Sequence, residues 1–304
     1  MSRALLRRGL MGLAGLAGLL GLVAAGTYGV SEWKCRRFYP VVPEALAIPR
    51  DSLTLAWGKH LATAIAKCTH CHGEDLGGGV FTDDPAMGRF VAPNLTSGLG
   101  GKGPLSDIEL IRAIRHGLAP SSRPLVFMPS TVFNRLQEAD LTAIVAYVKS
   151  VPPVDRELPG SVPGPVARAL MVFQPGRLIA AEGVDHAAPF PPRVRPGRTA
   201  EYGGYLTVIG GCFYCHGDRL QGGIREGPPG TPPSADLTPR GPLGAWTEEQ
   251  FRAALRTGLR PDGTVINPFM PWQATRLMTD DEIGAVWLYL RSATEGGEPH
   301  PEGR

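Results

Sequence analysis

This 304-residue chain is poor in charge and in aromatic side chains. Charged residues make up 19% and aromatics 7%, and the formal charge is only +3, spread along the sequence. A nucleic-acid footprint requires Lys and Arg clustered on one element, so no nucleic-acid partner is expected. Cysteine is scarce as well, with five in all. Four of them form two pairs with two residues between the members, and disulfides closing such short loops would constrain little chain, which excludes a disulfide scaffold. Glycine (40) and proline (30) are abundant, almost a quarter of the chain together. Turns and loops must therefore take much of the length, and something other than peptide should help fill the cores. The length suits two domains of about 100 residues each, with two modest cores.

Charge is absent altogether from Leu10 to Val30, 21 residues made almost wholly of Leu, Gly, Ala and Val. At about 1.5 Å rise each they would span a bilayer. Arg3, Arg7 and Arg8 precede the run, and the positive-inside rule keeps them cytoplasmic, which sends everything after Trp33 outward. Ala24-Ala25-Gly26 offers small residues for signal cleavage, but the run exceeds the roughly 7 to 15 apolar residues of a signal peptide. Residues 1–35 therefore read as a cytoplasmic N-terminus and an uncleaved transmembrane anchor. Cys35 follows Glu32-Trp33-Lys34 and lacks the small apolar context of a lipid-attachment site.

The chain repeats itself. Gly58-Lys59-His60-Leu61 and then Cys68-Thr69-His70-Cys71-His72-Gly73 return as Gly203-Gly204-Tyr205-Leu206 and Cys212-Phe213-Tyr214-Cys215-His216-Gly217. Downstream, Asn94-Leu95-Thr96 matches Asp236-Leu237-Thr238, and Ala113 to Leu118 matches Ala254 to Leu259. Phe127-Met128-Pro129 matches Phe269-Met270-Pro271, after which the copies run ungapped at an offset of 142. The same order in both halves means two homologous domains, 50–155 and 199–296. Each reads as three helices separated by loops, with capping boxes at Ser106-x-x-Glu109, Thr247-x-x-Gln250 and Thr279-x-x-Glu282. The last helices, near Glu138 to Lys149 and Asp280 to Arg291, carry one apolar face each, as core helices do. Ten prolines between 151 and 198 make 156–198 an ordered or semi-rigid linker.

The pattern C-x-x-C-H, present at Cys68-Cys71-His72 and Cys212-Cys215-His216, has a physical rationale. Two thiols one helical turn apart reach the two vinyl groups of one porphyrin, and the adjacent imidazole then meets the iron. A structural zinc site draws four ligands from paired clusters close in sequence, whereas these two motifs lie 144 residues apart. Cys68, Cys71, Cys212 and Cys215 are therefore expected to attach two covalently bound haem c groups, with His72 and His216 as proximal iron ligands. The sixth ligand separates an electron carrier from a catalyst. Met128 lies 60 residues after Cys68, and Met270 lies 58 after Cys212, both in a Phe-Met-Pro context. A thioether raises the potential and closes the iron to substrates. Met87 rivals Met128 but has no counterpart in the second half. His60 and His116 face Tyr205 and Thr257 across the repeat, which reads as solvated or core histidine.

On these residues the chain resembles the class I cytochromes c, and more closely the multi-haem cytochrome subunits of membrane-bound bacterial alcohol and aldehyde dehydrogenases. The matching stretches are Pro93 to Thr96, Ala113-Ile114-Arg115-x-Gly117, Met128-Pro129 and Asp140 to Pro153. The resemblance implies an all-α fold: an N-terminal transmembrane helix followed by two tandem class I cytochrome c domains, each with first and last helices crossing at a glycine, Gly58 or Gly203. It also implies a backbone carbonyl bonding the proximal imidazole, supplied by Pro93 in one half and by its counterpart Ala235 in the other. Such subunits commonly carry three haem domains, and this chain has two. The expected function is electron transfer, without catalysis by the chain itself. It would take place on the periplasmic side of a bacterial inner membrane, from a dehydrogenase or quinol-oxidising complex to a cytochrome or terminal oxidase. A dihaem redox enzyme of peroxidase or thiosulfate-oxidising type is the alternative.

Other signals are set aside. Gly98-x-Gly100-x-x-Gly103 sits in a loop with no strand before it. Gly101-Lys102 lacks the rest of a phosphate-binding loop, and the sequon at Asn94 occupies the haem-loop motif. Arg115 and Arg256 recur in both halves and read either as propionate partners or as exposed helical arginines.

Overall fold

A computed structural model describes residues 3–227 and 230–292. The first helix, α1 (Arg3–Arg36), contains within Arg7–Arg36 an apolar 18-residue window that is wholly unburied. It is a single N-terminal apolar helix with the length and composition of a membrane span or a signal sequence.

The first repeat is built from α2 (Ser52–His60), a π-helical turn (Leu61–Ile65), α3 (Cys68–His72), α4 (Asp107–His116), α5 (Ser130–Phe133) and α6 (Glu138–Ser150). After α7 (Pro165–Phe173) in the connector, the second repeat brings α8 (Ala200–Ile209), α9 (Cys212–His216), α10 (Glu248–Thr257), α11 (Trp272–Thr275) and α12 (Asp280–Ser292). All three sequence-predicted capping boxes form. Ser106 with Glu109 caps α4 and Thr247 with Gln250 caps α10. Thr279 accepts from the Glu282 amide while Glu282 accepts from the Thr279 amide.

The purely helical expectation is corrected in one place. Strands β1 (Gly79–Asp84), β2 (Gly88–Ala92) and β3 (Val162–Pro163) form a small antiparallel sheet in the order β1-β2-β3. The hairpin is set locally: Asp84 Oδ1 accepts from the amides of Ala86 and Met87, and Gly88 takes φ +93°. That is the chemistry of a tight turn. Phe81 and Phe90 then meet Phe127 in a second apolar cluster with Met87, Leu118, Met171 and Ile179. The connector thus folds onto the first half. It also holds the end of α1, where Arg168 bonds Ser31 Oγ at 2.9 Å and lies over the Tyr28 ring, while Lys34 Nζ bonds the Met171 carbonyl at 2.8 Å and pairs with Glu182.

In each half the first and last helices cross at a glycine. A Cβ on Gly58 would lie 1.9 Å from the Ala143 carbonyl oxygen, and one on Gly203 would lie 1.9 Å from that of Ala285. The two halves share one continuous apolar core. Their contact is reciprocal: the π-helical turn of the first half packs on α11, and α8 of the second packs on α5, the counterpart of α11. His60 Nε2 bonds Glu282 at 2.8 Å, and Tyr205, which occupies the place of His60 in the repeat, donates to Asp140, the counterpart of Glu282, at 2.6 Å. Trp57 adds a bond to the same aspartate at 2.7 Å.

Candidate haem sites

Both C-x-x-C-H motifs form a single helical turn, α3 and α9, entered through a left-handed residue (Lys67, φ +56°; Gly211, φ +68°) and left through a glycine near φ +78°. One turn brings the paired thiols to the same side of the chain. The loop that follows doubles back in the same way twice. Gly78 N donates to the His72 carbonyl at 2.7 Å, and Gly222 N to that of His216 at 2.8 Å. Leu95 N reaches the Leu76 carbonyl and Leu237 N that of Leu220, both at 2.8 Å. Gly78 and Gly222 both have positive φ, and a Cβ there would strike the backbone at Ala92 or Ala235 within 2.5 Å. The close approach delivers the carbonyl expected from the resemblance: His72 Nδ1 donates to Pro93 O at 2.9 Å and His216 Nδ1 to Ala235 O at 2.7 Å. A carbonyl only accepts, so the proton sits on Nδ1 and the Nε2 lone pair is left for a metal. Replacing proline by alanine leaves this bond intact, because it uses only the backbone.

Burial lowers the pKa of both imidazoles, the carbonyl bond opposing it, so they are neutral and ligand-competent. Burial likewise raises the thiols of Cys71, Cys212 and Cys215 and pushes Cys68 up to about 12. In the second half Cys212, Cys215, His216 and Met270 line one mainly apolar cavity of about 640 Å³, with Leu206, Phe251 and Ile266 among its walls. That volume lies within the roughly 300–1,000 Å³ of cofactor pockets, and the donor set of two thiols, an imidazole and a thioether fits a covalent haem. In the first half Cys68 and Met128 both pack against the shared core, while Met87 lies in the other cluster with Phe81 and Phe127.

The remaining candidates have structural roles. Arg115 is 1% exposed and bonds the carbonyls of Asn134 and Ala188 with its guanidinium over Phe190. Arg256 bonds the Arg276 carbonyl and Asp280. Arg115 thus ties α4 to the end of α5 and to the connector, Arg256 ties α10 to the end of α11 and to α12, and neither is a freely exposed arginine. Asn94 is 1% exposed, donates to Val154 O at 2.7 Å and accepts from Thr96, so its side chain braces the loop from inside.

His116 is paired with His186, which sequence reasoning left unmarked; the two Nδ1 atoms are 3.1 Å apart. His186 Nε2 donates to Ala181 O, so its Nδ1 accepts and His116 Nδ1 donates. His116 Nε2 is buried without a partner. Burial first, and then His186, Arg115 and Arg112, hold the His116 pKa down at about 4. The unfolded chain takes up this proton near pH 6.5 and the folded one only near 4, so stability is lost as pH falls across that window. The full difference is ~3 kcal/mol at 1.36 kcal/mol per pKa unit. Denaturant midpoints at pH 7 and pH 4.5 should therefore diverge more for the unaltered protein than for His116→Gln.

With this geometry in place, the comparisons with known proteins point to a class for the first repeat: residues 55–152 match the cytochrome c family, a match that implies a covalently attached haem c in that repeat. Over 96 residues, 29% of this chain, it is 35% identical to the fructose dehydrogenase cytochrome subunit of Gluconobacter japonicus. Over 95 residues, again 29% of the chain, it is 34% identical to the cytochrome c subunit of a quinone alcohol dehydrogenase from Gluconobacter oxydans. A longer similarity, 27% identity over 287 residues and 86% of the chain, joins it to one of the nicotinate dehydrogenase subunits of Pseudomonas putida. The chain covers about a fifth of the length of these relatives, 20%, 20% and 23% in turn.

Proposed function

We propose that the protein is a membrane-anchored dihaem cytochrome c that relays electrons on the periplasmic side of a bacterial inner membrane, from a dehydrogenase or quinol-oxidising complex to a cytochrome or terminal oxidase. The observation that carries this reading is the duplicated site, in which two independent loops bring a backbone carbonyl to the same nitrogen of two equivalent histidines. Cys68 with Cys71, and Cys212 with Cys215, would hold the two haems as thioethers, with His72 and Met128 at one iron and His216 and Met270 at the other. The haem supplies the one-electron couple. The chain fixes each imidazole in one tautomer, surrounds the second site with mainly apolar walls, and offers a thioether that would favour the reduced state and serve as the iron's second protein ligand. No general acid, base or nucleophile is then needed. The relatives named as dehydrogenase cytochrome subunits support the upstream partner, and α1 with Arg3, Arg7 and Arg8 supports the anchor and its orientation.

The test is performed on the purified full chain: haem per chain, the methionine-to-iron absorption band, and peroxide reactivity. Two haems with the band retained at both sites are expected. A five-coordinate or peroxide-reactive site would overturn the relay in favour of a dihaem enzyme.

A further inference from the structure

The residue preceding each C-x-x-C-H turn adopts a left-handed conformation. Gly211 does so at φ +68°, ψ +24°, and Lys67 at φ +56°, ψ +36°. Glycine bears no penalty there, whereas a residue with a Cβ is strained. The second half uses the unstrained residue and the first does not, so the lysine side chain is retained against a local cost, and such an outlier points to a function.

The Lys67 side chain crosses between the halves. Its Nζ donates to Ile65 O of its own half at 3.1 Å and to Gly210 O of the other. It lines the 640 Å³ cavity together with Cys212, Cys215 and His216. The ionisable groups that act on it are the thiols of Cys212, Cys215 and Cys68, taken from both motifs, with no carboxylate among them. Once those sulfurs are thioethers they carry no charge. An ammonium at this point would then sit beside both attachment segments, in a cavity whose lining also includes Glu226, Asp236 and Asp262, where charge is less screened than in open water. Burial lowers its pKa from the ordinary lysine value, and the two carbonyls are acceptors that favour the charged form.

We propose, resting on the dihaem reading, that Lys67 is a positioning residue that places one positive charge at the junction of the two haem sites and thereby raises the reduction potential of both. Each site gains one electron, and no proton, from an external donor. The oxidised form carries one more positive charge than the reduced form, so a fixed cation disfavours it at each site in turn. Because the same charge serves both sites, the two couples shift together when it is removed.

The experiment is an optical redox titration with mediators on the full chain in detergent, alongside a haem count per chain, for the unaltered protein and for Lys67→Met, Lys67→Gly and Lys67→Arg. The glycine variant restores the conformation favoured at Gly211 and guards against loss of folding in the methionine variant. With two haems and an unaltered methionine-to-iron band, both neutral variants should lower each reduction equilibrium at least tenfold, 59 mV for one electron, while Lys67→Arg stays within threefold. Two haems with both couples within twofold of the unaltered protein would overturn the proposal, and a fall at one site alone would overturn the shared role. Fewer than two haems in the unaltered protein would instead refute the dihaem reading itself.

Discussion

Replacing Cys212 and Cys215 together by alanine should halve the covalent haem, from two per chain to one, and leave the spectrum of the first site in place. The two thiols line the second cavity, and their counterparts Cys68 and Cys71 belong to a separate turn. Attachment at one motif therefore does not depend on thiols at the other. Stability should fall far more steeply than for an ordinary pair of surface changes. Without its haem the mainly apolar cavity of about 640 Å³ would expose its walls to water, a loss of burial that bears on a net domain stability of only ~5–15 kcal/mol. The thermal transition of α8 to α12 should accordingly fall. Haem staining of the denatured chain, paired with its thermal transition, reads both effects. Two haems retained in the variant would remove Cys212 and Cys215 from the second site.

Features whose cause is local were legible in the sequence. The capping boxes, the C-x-x-C-H turns and the last helices depend on residues three or four apart, and they form where expected. The glycine crossings followed from the resemblance and hold in both halves. The hairpin was missed because Asp84, Gly88 and three phenylalanines make sense only together, and Phe127 lies 46 residues beyond Phe81. The connector's prolines marked it as an ordered or semi-rigid linker, but they gave no sign of α7 or of the second apolar cluster around Met171, which only long-range contact reveals.

The mismatch of His60 with Tyr205 shows the limit most clearly. Set side by side in the repeat, the two residues look like a lost equivalence, which is why His60 reads as a solvated or core histidine in the sequence. In space they do the same work, each reaching the equivalent acid of the other half, Glu282 or Asp140. Chemistry at a repeat interface is shared between copies, so comparing copy with copy hides it. The same arrangement carries Lys67 to Gly210 and brings the two attachment segments close.

Gly203→Ala should be among the most damaging single substitutions outside the haem-attachment residues, with a loss above ~3 kcal/mol, the level at which core overpacking is severe. In an exposed helix the same change would stabilise by ~0.5–1 kcal/mol, so the sign is decided by what the new Cβ meets. It would lie 1.9 Å from Ala285 O, 2.3 Å from Ala285 C and 2.8 Å from Val286 N. All three are backbone atoms of α12, and none can rotate away. Gly284→Ala is the matched control, since its Cβ meets the flexible end of Arg198 at 2.7 Å, which can move. It should be neutral or mildly stabilising by urea denaturation. Equal losses in the two variants would mean that the helices do not cross at Gly203. The consequence reaches the site, because α8 ends at Ile209 and Cys212 follows three residues later. Forcing α8 away from α12 displaces the attachment turn together with Gly210, the residue that Lys67 holds from the other half. Gly203→Ala should therefore also shift the methionine-to-iron band of the second site, whereas Gly284→Ala should leave it unaltered.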